Sequence, residues 1–220
     1  YLGQCKKYQK NKNFLLHILE KCVIIQIVIS YSPFHGLLLS ELGERRLCMY
    51  QVGQWIIYGG EGACQVEAIG PLAMRGANRE KLYYTLAPAY RSGKVYAPVD
   101  GQVFSRPILS RDEAEALVRA IPGMKPDVCR EKNLRLLTAH YQNLLSSHQC
   151  EDLVQIIKAA HVRRQERRSS GAKPGQVDER FMKRAEDLLY GELAVALGME
   201  RDQVSDYITQ TAKETAGQAG

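Results

Sequence analysis

The sequence predicts an α+β chain, a small SH3- or Tudor-like β-barrel module followed by an all-helical domain. Three observations carry this. Between residues 50 and 104, apolar residues alternate in short runs separated by glycine turns. Beyond Ser110 the apolar period lengthens to that of a helix, and five such runs follow. The composition is that of an ordinary globular protein: 220 residues, 45% hydrophobic and 25% charged. That length suffices for one or two domains with cores of their own, and charges this frequent exclude a multi-span membrane protein.

The elements follow in order. Residues 52–58 read as a first strand after a turn at Gly53, and Gly59, Gly60 and Gly62 supply the positive-φ positions of a tight turn. Residues 63–69 alternate, with Cys64, Val66 and Ala68 on one face and Gln65 and Glu67 on the other, until Gly70-Pro71 ends the run. A polar loop leads to 82–86, which is rich in strand formers. Residues 94–99 make a fourth strand whose Pro98 marks an edge or an end, and Val103-Phe104 a short fifth. A sheet of this size leaves an edge open, and an open edge is a docking surface for a partner strand.

Ser110 and Glu113 have the spacing of a capping box, opening a helix over 114–121 that Pro122-Gly123 stops. A second helix is predicted over 126–146 and a third over 151–168, followed by a Ser/Gly/Pro break. The longest helix, 177–197, carries the stripe Phe181, Ala185, Leu188, Leu189, Leu193 and Leu197, with Gly198 as its C-cap. A last helix is expected over 201–212 and a disordered tail over 214–220.

The first 48 residues read differently. The net charge is +6, from 30 basic and 24 acidic residues; residues 1–48 hold seven of the former and three of the latter, so +4 sits there and +2 in the remainder. Residues 22–39 are apolar over about 18 positions, the length of a membrane span. Gln26, Ser30, Ser32, Pro33, His35 and Gly36 interrupt them, and no secretory cleavage pattern follows. A second reading starts from Met49, the first methionine: Glu44-Arg45-Arg46 can be encoded by a purine-rich run that the two codons of Leu47 and Cys48 separate from Met49, as in a translated ribosome-binding site. On that reading residues 1–48 are a non-native or disordered extension, and the domains are 49–107 (β module) and 108–213 (helical). An N-terminal peptide beginning at Met49 in the natural host supports it; an intact 220-residue protein contradicts it.

The six cysteines (5, 22, 48, 64, 129, 150) include no C-x-x-C pair, and the five histidines have no metal-ligand spacing. A reducing, cytoplasmic setting is the simplest reading. No cofactor or metal is expected, and no local signature of a Cys–His nucleophile is present, so the chain is not expected to be an enzyme.

Residues 50–213 resemble the CarD/CdnL family of bacterial transcription regulators, whose N-terminal module is shared with the polymerase-interacting domain of the transcription-repair coupling factor. The family opens with an aromatic-x-Val-Gly-Asp-x-Val-Val-Tyr-Pro-x-His-Gly pattern; here stand Tyr50-Gln51-Val52-Gly53-Gln54-Trp55-Ile56-Ile57-Tyr58-Gly59-Gly60-Glu61-Gly62. Gly76, Tyr83-Tyr84, Ala97-Pro98-Val99 and Phe104-Ser105-Arg106 follow in the family's order. In the helical part, Arg163-Arg164-Gln165-Glu166 resembles the end of the family's third helix, and Met182 through Leu193 to Gly198 its long helix.

The resemblance implies a β module that grips the β subunit of RNA polymerase by extending a sheet, with Tyr84, Leu86, Val95 and Tyr96 at that contact. It implies a helical domain lying on promoter DNA, with weak non-specific contact through Arg130, Lys132, Asn133 and Arg135 of the second helix. Binding would stabilise the open promoter complex, with no cofactor, no small-molecule substrate and no membrane, and the chain is expected to be a monomer. The sequence departs from the pattern at Gln54, Gly59 and Glu61, where the family carries Asp, Pro and His, and at Tyr96, where a basic residue is frequent. Many members also place a Trp in the second helix as a minor-groove wedge, a recognised device for unstacking bases. The aligned residue here is Asn133, and the one tryptophan is Trp55, a core or rim residue of the barrel or a partner anchor. DNA contact would then rest on charge, with a log–log salt slope of about −3 to −4 for three or four phosphates. Recruitment by polymerase would raise the effective concentration.

Taken alone, the run Arg163, Arg164, Arg167, Arg168 and Lys173 is a solvated helix end that also suits the helix dipole. Arg106, between the two parts, reads as a bridge rather than a ligand contact. The alternative function is an adaptor that binds polymerase without productive DNA contact.

Overall fold

The structure is a computed structural model describing residues 50–74, 78, 80–131 and 133–218. The apolar run at 22–39, the expected extension over 1–48, Gly76 and Lys132 lie outside the described residues. The chain divides into two units, Tyr1–Cys48 and Met49–Gly220, and the second contains every described residue.

Five strands, β1 (Trp55–Tyr58), β2 (Gly62–Gly70), β3 (Tyr83–Pro88), β4 (Val95–Pro98) and β5 (Ser105–Pro107), form one antiparallel sheet in the order β4-β3-β2-β1-β5. The first four pair as a meander, which short connections permit. β5 returns to β1, so β4 and β5 are the two edges. β1 starts at Trp55 rather than at 52, because Gly53 turns (φ 88) and its N–H donates to the Val66 carbonyl at 2.7 Å. β2 carries a bulge: Val66 pairs with Leu86 but Ala68 with Thr85, leaving Glu67 extra. The alternation therefore breaks, and Ala68, expected inward with Cys64 and Val66, is exposed.

The inner face of the sheet buries Ile56, Cys64, Val66, Leu86 and Ala97 almost completely. Burial pushes the Cys64 thiol up to about 11, which keeps it protonated and unreactive, a small core residue.

Five α-helices follow: α1 (Arg111–Ala120), α2 (Leu134–Ser146), α3 (Cys150–Ser169), α4 (Gln176–Leu197) and α5 (Gln203–Gln218). The capping box at α1 is formed: Glu113 N–H donates to Ser110 Oγ at 3.3 Å, and Ser110 N–H donates to Glu113 Oε2 at 2.8 Å. Those bonds hold the Glu113 carboxyl below its usual range. Gly198 ends α4 in the left-handed region (φ 68), which L side chains resist. The helices share one core, with Val118, Leu137, Tyr141, Ile156, Ala159, Ala185, Leu189, Leu193 and Val204 at its centre. α5 continues to Gln218, past the expected boundary at 213.

The second helix begins eight residues later than its sequence suggests, at Leu134 instead of 126. The reason is tertiary. Side chains of α3 fasten the chain over 121–129 in an irregular path, and one of them takes the Cys129 carbonyl that a helix over 126–133 would offer to Asn133 N–H. Lys158 Nζ donates to the Ile121 and Met124 carbonyls at 2.6 and 2.5 Å, Gln155 Oε1 accepts from Asp127 N–H at 2.9 Å, and Arg163 Nη1 donates to the Cys129 carbonyl at 2.7 Å. Asn133 then caps α2, its Oδ1 accepting from Arg135 N–H at 2.9 Å.

Sheet and helices meet at one buried carboxylate. Glu192, 1% exposed on α4, accepts from Arg106 of β5 at both oxygens (Nη1–Oε1 2.5 Å, Nη2–Oε2 2.8 Å). Leu109 N–H adds a bond to Oε1 at 3.0 Å, and the Cys150 thiol donates to Oε2 at 3.2 Å. Arg106 also donates from Nε and Nη2 to the His148 carbonyl at 3.3 and 3.1 Å. This fork-to-fork pair, with the remaining lone pairs used, is what makes an ion pair tolerable in a low-dielectric seam. Gly62 (φ 81) lies beside it: a Cβ there would stand 3.1 Å from Leu188 Cδ2, so β2 can approach α4 this closely only as glycine.

Candidate functional site

The open strand β4 is the first candidate surface. Val99 N–H donates to the Leu82 carbonyl at 2.9 Å. Antiparallel bonding alternates from residue to residue, so with Tyr84 opposite Ala97 and Leu86 opposite Val95, the backbone groups of Val95 and Ala97 turn toward β3. Those of Tyr96 turn outward, giving an N–H and a carbonyl along the edge. The Pro98 carbonyl is taken by Gly101 N–H at 2.9 Å, which ends the strand. Tyr96 is 41% exposed, and Lys94 beside it is paired with Glu67 of the bulge at 2.7 Å. A short edge strand flanked by an ion pair resists casual self-pairing and still leaves one residue's backbone available.

Of the four residues expected at a polymerase contact, β4 brings Val95 and Tyr96 to this edge. Tyr84 and Leu86 do not belong there. Both are core residues of β3, an interior strand, at 5% and 0% exposure. The Tyr84 hydroxyl accepts from Tyr50 N–H at 3.2 Å, the two rings pack at 5.7 Å, and Tyr50 Oη donates in turn to Ser105 Oγ at 3.0 Å. Their contribution to the edge is to support β4 from within. Trp55 is half-buried on β1, away from β4.

The start of α2 is the second candidate surface. The structure does not place Arg130 on a helix: it lies in the preceding loop and pairs with Glu166 of α3 at 3.1 Å. Asn133 is spent as the cap, while Arg135, on the first turn, is exposed. Leu134 and Leu136, which sequence reasoning passed over, are 60% and 53% exposed on the same turn. The available signal was Leu136, which falls off the helical stripe set by Leu137, Tyr141 and Leu144.

The basic run ending α3 is occupied at two of its five positions, Arg163 and Arg164, while Arg167, Arg168 and Lys173 make no ion pair among the described residues. Arg163 is largely buried and donates to Asp178 Oδ1 at 2.9 Å as well as to Cys129; Tyr141 Oη donates to the same oxygen at 2.9 Å. Burial, then the bond to Asp178, pushes the Tyr141 hydroxyl up, so it stays a donor. Arg164 pairs with Glu179 at 3.6 Å and contacts His161. Arg106 has the bridging position expected of it, and its partner Glu192 is what sequence reasoning missed. Both buried carboxylates, Asp178 and Glu192, fall on the apolar stripe of α4, three residues before Phe181 and three after Leu189; an acid on such a stripe needs a cation.

No helix among the described residues is long and apolar enough to cross a membrane. Residues 50–102, which cover Tyr50 and the strands β1 to β4, match the CarD-like/TRCF RID domain family. No curated protein matches the chain. The match identifies this segment as a CarD-like polymerase-interacting domain, and supports RNA polymerase as partner and a transcription-related role.

Proposed function

We propose that the protein is a transcription regulator that docks on the β subunit of RNA polymerase through the β4 edge and lays its helical part on promoter DNA. Docking adds a polymerase strand beside β4, using the outward N–H and carbonyl of Tyr96, with the Tyr96 and Val95 side chains setting register. The observation that carries this reading is the coincidence of the RID-family match with a sheet whose β4 edge is open. The helical part supplies no chemistry. It binds non-specifically and lowers the free energy of the open complex, where 1.4 kcal/mol is tenfold in the equilibrium. Leu134, exposed beside Asn133, offers an apolar side chain one residue from the position where the resembling family carries its wedge.

The experiment is binding of the full chain to polymerase β subunit with Tyr96→Pro and Tyr96→Ala. Proline at an outward-facing edge position removes an N–H without removing a bond to β3. Strand addition predicts a loss of at least tenfold for Tyr96→Pro and a smaller one for Tyr96→Ala; unchanged binding of both contradicts it.

A second reading, an adaptor without productive DNA contact, is favoured by the fate of two expected DNA residues: Arg130 is paired with Glu166 and Asn133 is a helix cap. The two readings separate on the lifetime of the open complex, which only the first predicts to lengthen.

A further inference from the structure

We infer that the solvent face shared by α2 and α4 is a phosphate-binding surface for duplex nucleic acid, with Arg135, Arg180 and Lys183 as its cations; this rests on the DNA-contact reading above and assigns that contact to residues it had not included. Arg180 and Lys183 are exposed three residues apart on α4, so they project from one side of that helix. A shallow groove of about 480 Å³ between the helices is lined by them with Gln142 and Phe181. A second, of about 410 Å³, runs along the outer face of α2 past Arg135, Thr138 and Ala139. Gln142 lines both, so the two adjoin there, between the first turns of α2 and the first half of α4.

These three cations along the grooves are unengaged: among the described residues, no ion pair engages Arg135, Arg180 or Lys183. The one carboxylate on the groove, Asp187, is neutralised by Arg201, and Arg184 at its far end donates to the Gly60 carbonyl. On the other side, Arg130, Arg163 and Arg164 have acidic partners, and Arg167, Arg168 and Lys173, unpaired among the described residues, flank neither groove. Phosphates reward cations not already paired, since each contact releases a condensed counterion. Arg180 stands over the Phe181 ring at 5.0 Å, which limits the rotamer freedom lost on binding. The floor between the cations is uncharged (Leu134, Thr138, Ala139, Gln142), so no acidic side chain there repels a backbone. Unpaired positive charges spread over two helices along a wide, open strip suit the repeating phosphates of a duplex backbone better than an acidic peptide, which a compact arginine cluster holds.

The test measures affinity of the full chain for a short fluorescent duplex against salt. Three phosphate contacts predict a log–log slope near −2.7, a loss of about 40-fold between roughly 50 and 200 mM salt. Arg180→Gln with Lys183→Gln should leave a slope near −0.9 and a loss of about 3.5-fold over the same range. Glutamine keeps helix propensity, and unchanged helical circular dichroism and polymerase binding would confirm the fold. Arg130→Ala and Arg164→Ala should leave the slope as in wild type. A double variant with the wild-type slope, together with flattening by Arg130→Ala or Arg164→Ala, overturns this assignment and leaves the DNA reading intact. A wild-type chain without salt-dependent duplex binding overturns both. Equal competition by polyglutamate and by duplex at matched charge points to an acidic protein surface and overturns the nucleic-acid assignment.

Discussion

The two arginines at the seams of the fold and the three cations on its α2–α4 face carry the same charge for different ends. Arg106 and Arg163 are largely buried, each bonded to a carboxylate and to a backbone carbonyl belonging to another element. Arg135, Arg180 and Lys183 are exposed and without ion pairs among the described residues. A charge count treats all five alike. The structure separates cations that hold the molecule together from those that remain available to a polyanion, and the proposed phosphate binding draws on the second group.

Substitutions should sharpen that contrast. The largest effect is expected at the sheet–helix seam. Arg106→Ala leaves Glu192 buried without its cation and should cost about 3–5 kcal/mol in chemical denaturation, the range for breaking a buried pair. Arg106→Lys keeps the charge but loses the two-pronged geometry, so it should recover part of that loss. Arg163→Ala should cost somewhat less, about 3 kcal/mol, and should also free the 124–133 loop, visible as faster amide exchange there. Oδ2 of Asp178 has no hydrogen-bond partner, whereas both oxygens of Glu192 are occupied, so the Asp178 site is the less completely satisfied of the two. Ser110→Ala removes the capping box and should cost about 1 kcal/mol. Arg130→Ala, at an exposed pair, should change stability by less than about 0.5 kcal/mol.

A smaller effect depends on pH. His148 stacks on Phe104 at 4.3 Å, and burial, then the neighbouring Arg106, hold its imidazole below the ordinary range; burial and Arg164 do the same to His161. A group whose folded pKa is depressed binds more protons when unfolded. These histidines therefore give full stability above about pH 6.5, and it is lost as the pH falls from there through their folded values. Asparagine tolerates the positive φ of 55 at this position, so His148→Asn should fold and should flatten the decline in midpoint between neutral and mildly acidic pH, with His161→Gln removing the remainder.

Much of the fold was legible because its punctuation is local. The order of strands, the capping box at Ser110, the break before α4 and the Gly198 cap each follow from residues a few positions apart. What was not legible depends on contacts across the chain. The bulge at Glu67 exists because β2 must pair with β1 and β3 at once, and nothing in the run 63–69 announces it. Residues 126–133 have no strong helix breaker after Pro126, and the side chains of Lys158, Gln155 and Arg163, some 30 residues on, tie the chain over 121–129 down from across the fold. The site was legible to a similar depth. The docking sheet and two of its four proposed residues, Val95 and Tyr96, lie at the edge, whereas Tyr84 and Leu86 required knowing which strand is interior. The basic residues on α4 were overlooked because attention to runs of arginine favours α3, where acidic residues of α4 engage Arg163 and Arg164.

The most direct test of the central claim is the lifetime of a competitor-challenged open promoter complex formed by cognate RNA polymerase, measured without the protein, with the full chain and with Tyr96→Pro. The account predicts a longer lifetime with the full chain and a return to the protein-free value with Tyr96→Pro. A lifetime that the full chain leaves unchanged, or that Tyr96→Pro lengthens equally, would contradict it.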